Sequence, residues 1–197
     1  MVDAKDVMKL RTSTGAGVND CKKALTEAGG DFDKAIDLLR KWGGKIAQKK
    51  SSRATSSGLI ATYLHPTPET ARLGVMIQFN CETDFVARNE DFRAFARQVA
   101  QHIAASNPQC ISREEISKEQ IDKELEIYRE QVKDKPEKAI EKIVEGKLEK
   151  FYSERCLLDQ PFVLDPDKTV AQILTDRIAT IGENMKITQF CRFEIGG

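Results

Sequence analysis

Few residue types in this chain are equipped for bond-making chemistry. Five cysteines (Cys21, Cys81, Cys110, Cys156 and Cys191) and two histidines, His65 and His102, are scattered over 197 residues. No cysteines form a C-x-x-C pair, and the histidines lie far apart, so the ligand spacing of a zinc site is missing. An odd, dispersed set of thiols fits reduced cysteines in a cytosol better than a disulfide framework. A thiol nucleophile would need one of these cysteines beside His65 or His102. The other reading is a buried, inert thiol, and it suits Cys81 and Cys191, which share the parity of an apolar strand face. There is no P-loop, no G-x-G-x-x-G, no G-x-S-x-G and no H-E-x-x-H. The expectation is a protein that is not an enzyme and has no cofactor and no metal of its own.

What stands out instead is a corner, Asn80-Cys81-Glu82-Thr83-Asp84-Phe85-Val86-Ala87-Arg88-Asn89. Before it, Leu73, Val75, Ile77 and Phe79 alternate with Gly74, Met76 and Gln78, a strand period. After it, Phe92, Phe95, Ala96, Val99 and Ile103 recur at helical spacing. Thr83 and Asp84 are candidate N-caps, because their side-chain oxygens can accept from free helical N–H groups. Phe85 has two readings. It is a hydrophobic staple pinning the corner to its own core, or an apolar side chain that protrudes.

The elements around this corner follow from period and punctuation. Residues 1–43 read as three short helices, with Val7 and Leu10 one turn apart in the first. Val18, Cys21, Leu25 and Ala28 form a stripe on the second, and Phe32, Ala35, Ile36 and Leu39 share a face of the third. Thr14-Gly15-Ala16-Gly17, Gly29-Gly30 and Gly43-Gly44 close them. Residues 45–57 then form a basic, serine-containing linker with Lys45, Lys49, Lys50 and Arg53. It is either a solvated hinge or a phosphate-binding patch, and the lack of interleaved aromatics favours the hinge. Beyond it, Leu59–Leu64 and Arg72–Phe79 read as strands joined by a loop at His65–Thr70. Helices are expected from Phe92 to Ala105, from Ser117 to about Asp134 and from Pro136 to about Arg155, the last two as an αα-hairpin. Leu157–Phe162 reads as irregular. A last helix opens at Asp167 or Thr169 and ends at Ile181-Gly182-Glu183-Asn184. Met185–Ile195 alternates again, with Met185, Ile187, Cys191, Phe193 and Ile195 on the apolar parity. The fold class is therefore α+β: a three-helix module over 1–44, a linker over 45–57, and a core domain over 58–197. In that domain a three-stranded antiparallel sheet packs with helices, and a helical hairpin at about 117–155 projects.

Charge excludes some classes. The 31 basic and 31 acidic residues cancel, so no global field favours nucleic acid or an anionic membrane. Asp3 and Asp6 interrupt any signal-peptide pattern, and no run is long enough to span a bilayer. The expected location is cytoplasmic.

Two stretches carry a resemblance. Leu10-Arg11-Thr12-Ser13-Thr14-Gly15-Ala16-Gly17-Val18-Asn19-Asp20-Cys21-Lys22-Lys23-Ala24-Leu25 resembles the N-terminal signature of the elongation factor Ts family, and Asn80–Asn89 resembles its second signature. Ile181-Gly182-Glu183-Asn184 and Gln160-Pro161-Phe162-Val163 also match, and the length resembles the family's short form with a single core subdomain. The resemblance implies guanine nucleotide exchange on elongation factor Tu during translation elongation, with residues 1–44 as a ubiquitin-associated-type (UBA-like) module docking on that GTPase. It implies that Thr83, Asp84, Phe85 and Val86 dislodge the partner's Mg²⁺, which turns Phe85 from staple into wedge. It further implies partner contacts at Leu10, Arg11, Thr14, Gly15, Gly17, Lys22, Lys23, His65, Ile181, Gly182 and Asn184. No direct nucleic-acid or membrane contact is implied. The short form suggests a homodimer through the sheet, a second copy supplying the missing subdomain. The alternative function is an adaptor that binds a protein through the UBA-like module alone. Two further alternatives are an RNA-binding protein using the basic linker and a thiol enzyme.

Overall fold

The computed structural model describes residues 2–196, the side chain of Lys138 excepted. In chain order the elements are α1 (Ala4–Thr14), α2 (Val18–Glu27), α3 (Phe32–Lys50), β1 (Ser57–His65), β2 (Leu73–Cys81), α4 (Asp84–Arg88) and α5 (Glu90–Ser106). There follow α6 (Lys118–Gln131), α7 (Glu137–Arg155), β3 (Pro161–Phe162), β4 (Asp165–Thr169), α8 (Val170–Ile181) and β5 (Met185–Glu194). Several helices start where a short polar side chain can satisfy orphan N–H groups. Asp3 accepts from the Lys5 N–H and Asp31 from the Lys34 N–H, while Ser117 and Gln120 form a capping box. The fold is α+β, with an antiparallel sheet ordered β1-β2-β5. Among the described residues no helix is long and apolar enough to cross a membrane.

Contacts divide the chain into two compact units. The first holds the chain up to Leu59 together with Phe79–Arg93 and Gln172–Lys186; the second holds Ile60–Gln78, Ala94–Ala171 and the chain from Ile187.

In the first unit, Val7, Leu10, Cys21, Ala24, Leu25 and Ala35 form the buried centre of the three N-terminal helices, with Phe32, Ile36, Leu39 and Trp42 packed against it. The third helix departs from expectation. It does not stop at Gly43-Gly44 but continues to Lys50, so the connection to β1 is residues 51–56 rather than 45–57. At Gly43 the helix runs beside α8, where an added Cβ would stand 3.4 Å from the Ala179 Cβ, an ordinary van der Waals contact. The helix carries both glycines in its interior, at a cost of about 1 kcal/mol each. Phe79 and Phe92 are fully buried and stack with centroids 4.6 Å apart and planes within 5°. At Gly58, φ is +149° and an added Cβ would fall 2.3 Å from the Phe79 carbonyl oxygen, so only glycine fits where β1 passes β2.

In the second unit, Phe95, Val99, Ile103, Leu157, Phe162 and Val170 are core residues, and Phe95 meets Phe162 edge to face at 6.4 Å. The segment expected to be irregular ends in a short strand, β3, which pairs with β4; of the two expected openings of the last helix, Asp167 lies within β4 and Thr169 directly precedes α8. Pro and Asp at these positions hide a strand signal, because the pairing is made by register with a neighbour and not by local propensity. Near the base of the hairpin Arg113 anchors α7, its guanidinium bidentate to Glu149 (2.8 and 2.8 Å) and also bound to Asp159. The last strand corrects a second expectation. After Ile187, Thr188 and Gln189 are both exposed, so the inward parity slips by one residue to Phe190 and Arg192. Cys191, Phe193 and Ile195 are therefore exposed instead of core.

His102 is fully buried in this unit. Its Nε2 lies 2.9 Å from Gln160 Oε1, and its Nδ1 accepts from the Val163 N–H at 3.2 Å, which selects the neutral Nε2–H tautomer. Its ring is thus committed to Gln160 and Val163 rather than to a cysteine. Burial lowers its pKa, with the Gln160 bond acting the other way. At pH values below about 6.5 the unfolded chain takes up a proton that the folded chain refuses, so stability falls on acidification. The urea midpoint is expected to be flat above about pH 7.5 and to drop below about pH 6.5. His102→Gln should be less stable at neutral pH, with a flatter dependence across that window.

Candidate functional site

The first unit collects nearly every expected site residue from three distant stretches of chain. Only His65 lies in the other unit, exposed at the end of β1 with the Tyr63 hydroxyl 3.2 Å from its Nδ1.

The corner is built from Thr83. Its hydroxyl accepts from the Val86 N–H at 3.4 Å, capping α4. The same hydroxyl donates to Glu183 Oε1 at 2.6 Å, and the N–H groups of Glu82 and Thr83 donate to Glu183 Oε2 at 3.1 and 3.0 Å. A reciprocal bond returns from the other side, the Asn184 N–H donating to Glu82 Oε1 at 2.7 Å. That bond, aided by Arg53 and Lys50, holds the Glu82 carboxyl below its usual range. Beneath, the Cys81 thiol donates to the Thr83 carbonyl, and burial pushes that thiol up to about 11. Burial likewise raises Cys21, Cys110 and Cys156, so none of these four is an activated thiolate at neutral pH.

On this fixed base Asp84 and Phe85 face solvent. Phe85 is 83% exposed, the most exposed of the large hydrophobic side chains among the described residues. It is not a staple. Asp84 pairs with Arg88 one turn on, at 3.1 Å, with both side chains largely in water; such a pair is worth a few tenths of a kcal/mol, about 0.3–0.5. Val86 is half-buried.

The N-terminal signature forms the turn between α1 and α2. Gly15 has φ +70° and donates its N–H to the Arg11 carbonyl at 2.7 Å, while Gly17 opens α2. The Thr14 hydroxyl donates to the Leu10 carbonyl at 2.7 Å and accepts from the Ala16 N–H. Arg11 and Lys22 are exposed; the Lys23 ammonium sits 4.8 Å over the Trp42 ring. Gly17, Asp20, Trp42, Gly43, Ala179 and Thr180 line one recess of this unit. The Lys50 ammonium binds the Gly182 carbonyl, and Ile181 is half-buried.

Two expected contact residues are buried. Leu10 is fully buried, and Asn184 is 2% exposed with its amide donating to the Ser51 and Arg53 carbonyls. Both side chains are buried beneath the surface of this unit. Conversely, Glu183 and the Glu82–Arg53 pair were absent from the expected set. Both acids stand inside recognisable motifs, but nothing local says that Glu183 binds the Glu82 and Thr83 N–H groups and Glu82 that of Asn184.

The whole chain can be set beside known proteins. The family model "Elongation factor TS" matches residues 4–197. The chain belongs to the elongation factor Ts family. It is 54% identical over 196 residues to the elongation factor Ts of Thermodesulfovibrio yellowstonii, covering 99% of this chain and 96% of the relative. It is 54% identical over 198 residues to that of Acetivibrio thermocellus, covering 100% and 91%. With the Thermosipho melanesiensis protein it shares 50% identity over 198 residues, all of both chains.

Proposed function

We propose that this protein is a guanine nucleotide exchange factor for elongation factor Tu, acting in the cytoplasm by binding alone and catalysing no bond change itself. The observation that carries the reading is Phe85, a solvent-facing aromatic beside a carboxylate on a corner whose backbone is tied down by Glu183. A GTPase holds its nucleotide partly through a Mg²⁺ that bridges the phosphates and neutralises their charge. A wedge that displaces the elements around that ion weakens nucleotide binding. The factor need only bind the nucleotide-free state more tightly than the loaded one; reciprocity then makes nucleotide weaken the factor's own binding, which permits turnover. A coupling of ~3 kcal/mol changes affinity by roughly 150-fold.

In this reading, residues 1–44 are the docking module, and Arg11, Gly15, Gly17, Lys22 and Lys23 offer its partner-facing surface. Thr83, Asp84, Phe85 and Val86 form the wedge; Ile181 and Gly182 border it, and His65 is a separate contact. The test is release of a fluorescent GDP from elongation factor Tu in a stopped-flow instrument. Strong acceleration by the full chain is expected. Binding without acceleration would leave only the adaptor reading.

The homodimer belongs to the same proposal. Ile60, Met76 and Cys191 gather in one recess of the sheet, and Leu64 and Phe193 are also exposed nearby in sequence. An unpaired apolar face of this kind suits a second copy. Sedimentation is expected to give a dimer at micromolar concentration; a monomer both alone and with the partner would refute it.

A further inference from the structure

We propose that Glu183 is a positioning residue for exchange, holding the corner so that Asp84 and Phe85 are presented in one fixed orientation. The inference rests on the exchange reading above and extends it to a residue that touches no partner in that reading.

The geometry is specific. One carboxylate receives three hydrogen bonds, all from the two residues immediately before α4. Oε2 takes the N–H groups of Glu82 and Thr83, and Oε1 takes the Thr83 hydroxyl. The hydroxyl matters most. A hydroxyl has one hydrogen and two lone pairs. By claiming the hydrogen, Glu183 turns a lone pair toward the Val86 N–H, the bond that starts α4. A chain of contacts therefore runs from Glu183 through Thr83 into the helical turn that carries Asp84 and Phe85. The opposite loop is locked by the Asn184 N–H on Glu82, and Glu82 has its own cation in Arg53. The two loops thus exchange carboxylates, and neither can shift without breaking the other's bonds.

Rigidity is what a wedge requires. A side chain as exposed as Phe85 has no packing of its own to hold it. If its backbone swung freely, ordering it would oppose each exchange event. Removing Glu183 leaves no cavity in the apolar core, since the residue is only partly buried. Its loss should therefore appear in the maximal exchange rate and not in the docking of the N-terminal module.

The experiment is stopped-flow release of fluorescent GDP from elongation factor Tu, titrated with wild type, Glu183→Gln, Phe85→Ala and the double variant. Glutamine keeps the volume and one acceptor oxygen for the two N–H groups, but it puts an NH₂ where Oε1 took the Thr83 hydrogen, so the relay through the hydroxyl is lost. The expected result is a maximal rate lowered about tenfold by Glu183→Gln. The half-saturating concentration should change less than about threefold, and the double variant should be no slower than Phe85→Ala alone. Full rate with Glu183→Gln while Phe85→Ala is slow would overturn the positioning role and leave the exchange reading standing. Independent, multiplying losses would also overturn it. If Phe85→Ala itself exchanges at the wild-type rate, the wedge reading fails, and this proposal with it. Thermal unfolding accompanies each variant. Should Glu183→Gln not fold, Thr83→Val removes the hydroxyl relay with almost no change of shape and must slow exchange in the same manner.

Discussion

Asp84→Ala/Phe85→Ala should slow the factor-stimulated release of GDP from elongation factor Tu about 30-fold, the size expected when an aromatic anchor is truncated. Binding to the nucleotide-free partner should be largely retained, because the docking surface of the N-terminal module is built from other residues. Stability should be nearly unchanged, within about 0.5 kcal/mol. Phe85 is 83% exposed and its removal opens no cavity, while the Asp84–Arg88 pair is solvent-screened. Stopped-flow kinetics and a urea melt of the same preparation test both halves. If both variant and wild type accelerate release equally, exchange is driven from the module or from the His65 loop, and the corner is only a surface feature.

Phe79→Ala should do the reverse. Phe79 and Phe92 are fully buried in the first unit and stack at 4.6 Å. Truncating one ring loses its burial, leaves a cavity and strands its partner, at a cost of about 3–5 kcal/mol. The urea midpoint should fall sharply, whereas the protein that remains folded should still promote exchange. Phe79→Leu should cost less, because it keeps part of the volume. The comparison separates two aromatics six residues apart, one that maintains the fold and one that the fold displays.

The same contrast marks where sequence reasoning reached its limit. Helix and strand periods are local, so α1, α2, α5, the α6–α7 pair and β2 are legible from residues a few positions apart. The end of α3 was not. Two adjacent glycines ordinarily stop a helix, and they do not here, where Gly43 is buried inside α3 beside Ala179, 136 positions further on. The slip of parity in β5 and the short β3–β4 pairing depend in the same way on neighbours that no local window contains.

For the site, the sequence alone placed a capped corner at Thr83-Asp84, and its two long motifs pointed to a family that the comparisons bear out. It did not decide the posture of Phe85. Residue type favours burial, resemblance favoured exposure, and only the packed structure places the ring in solvent. It also could not distinguish the surface of the Ile181–Asn184 motif from its interior. Asn184 is spent on the Ser51 and Arg53 carbonyls, and Glu183 on a turn 100 residues earlier. Hydrogen bonds between remote loops leave no periodic trace in the chain. They are decided by where the folded backbone brings unpaired N–H groups, and burial then obliges some nearby side chain to satisfy them.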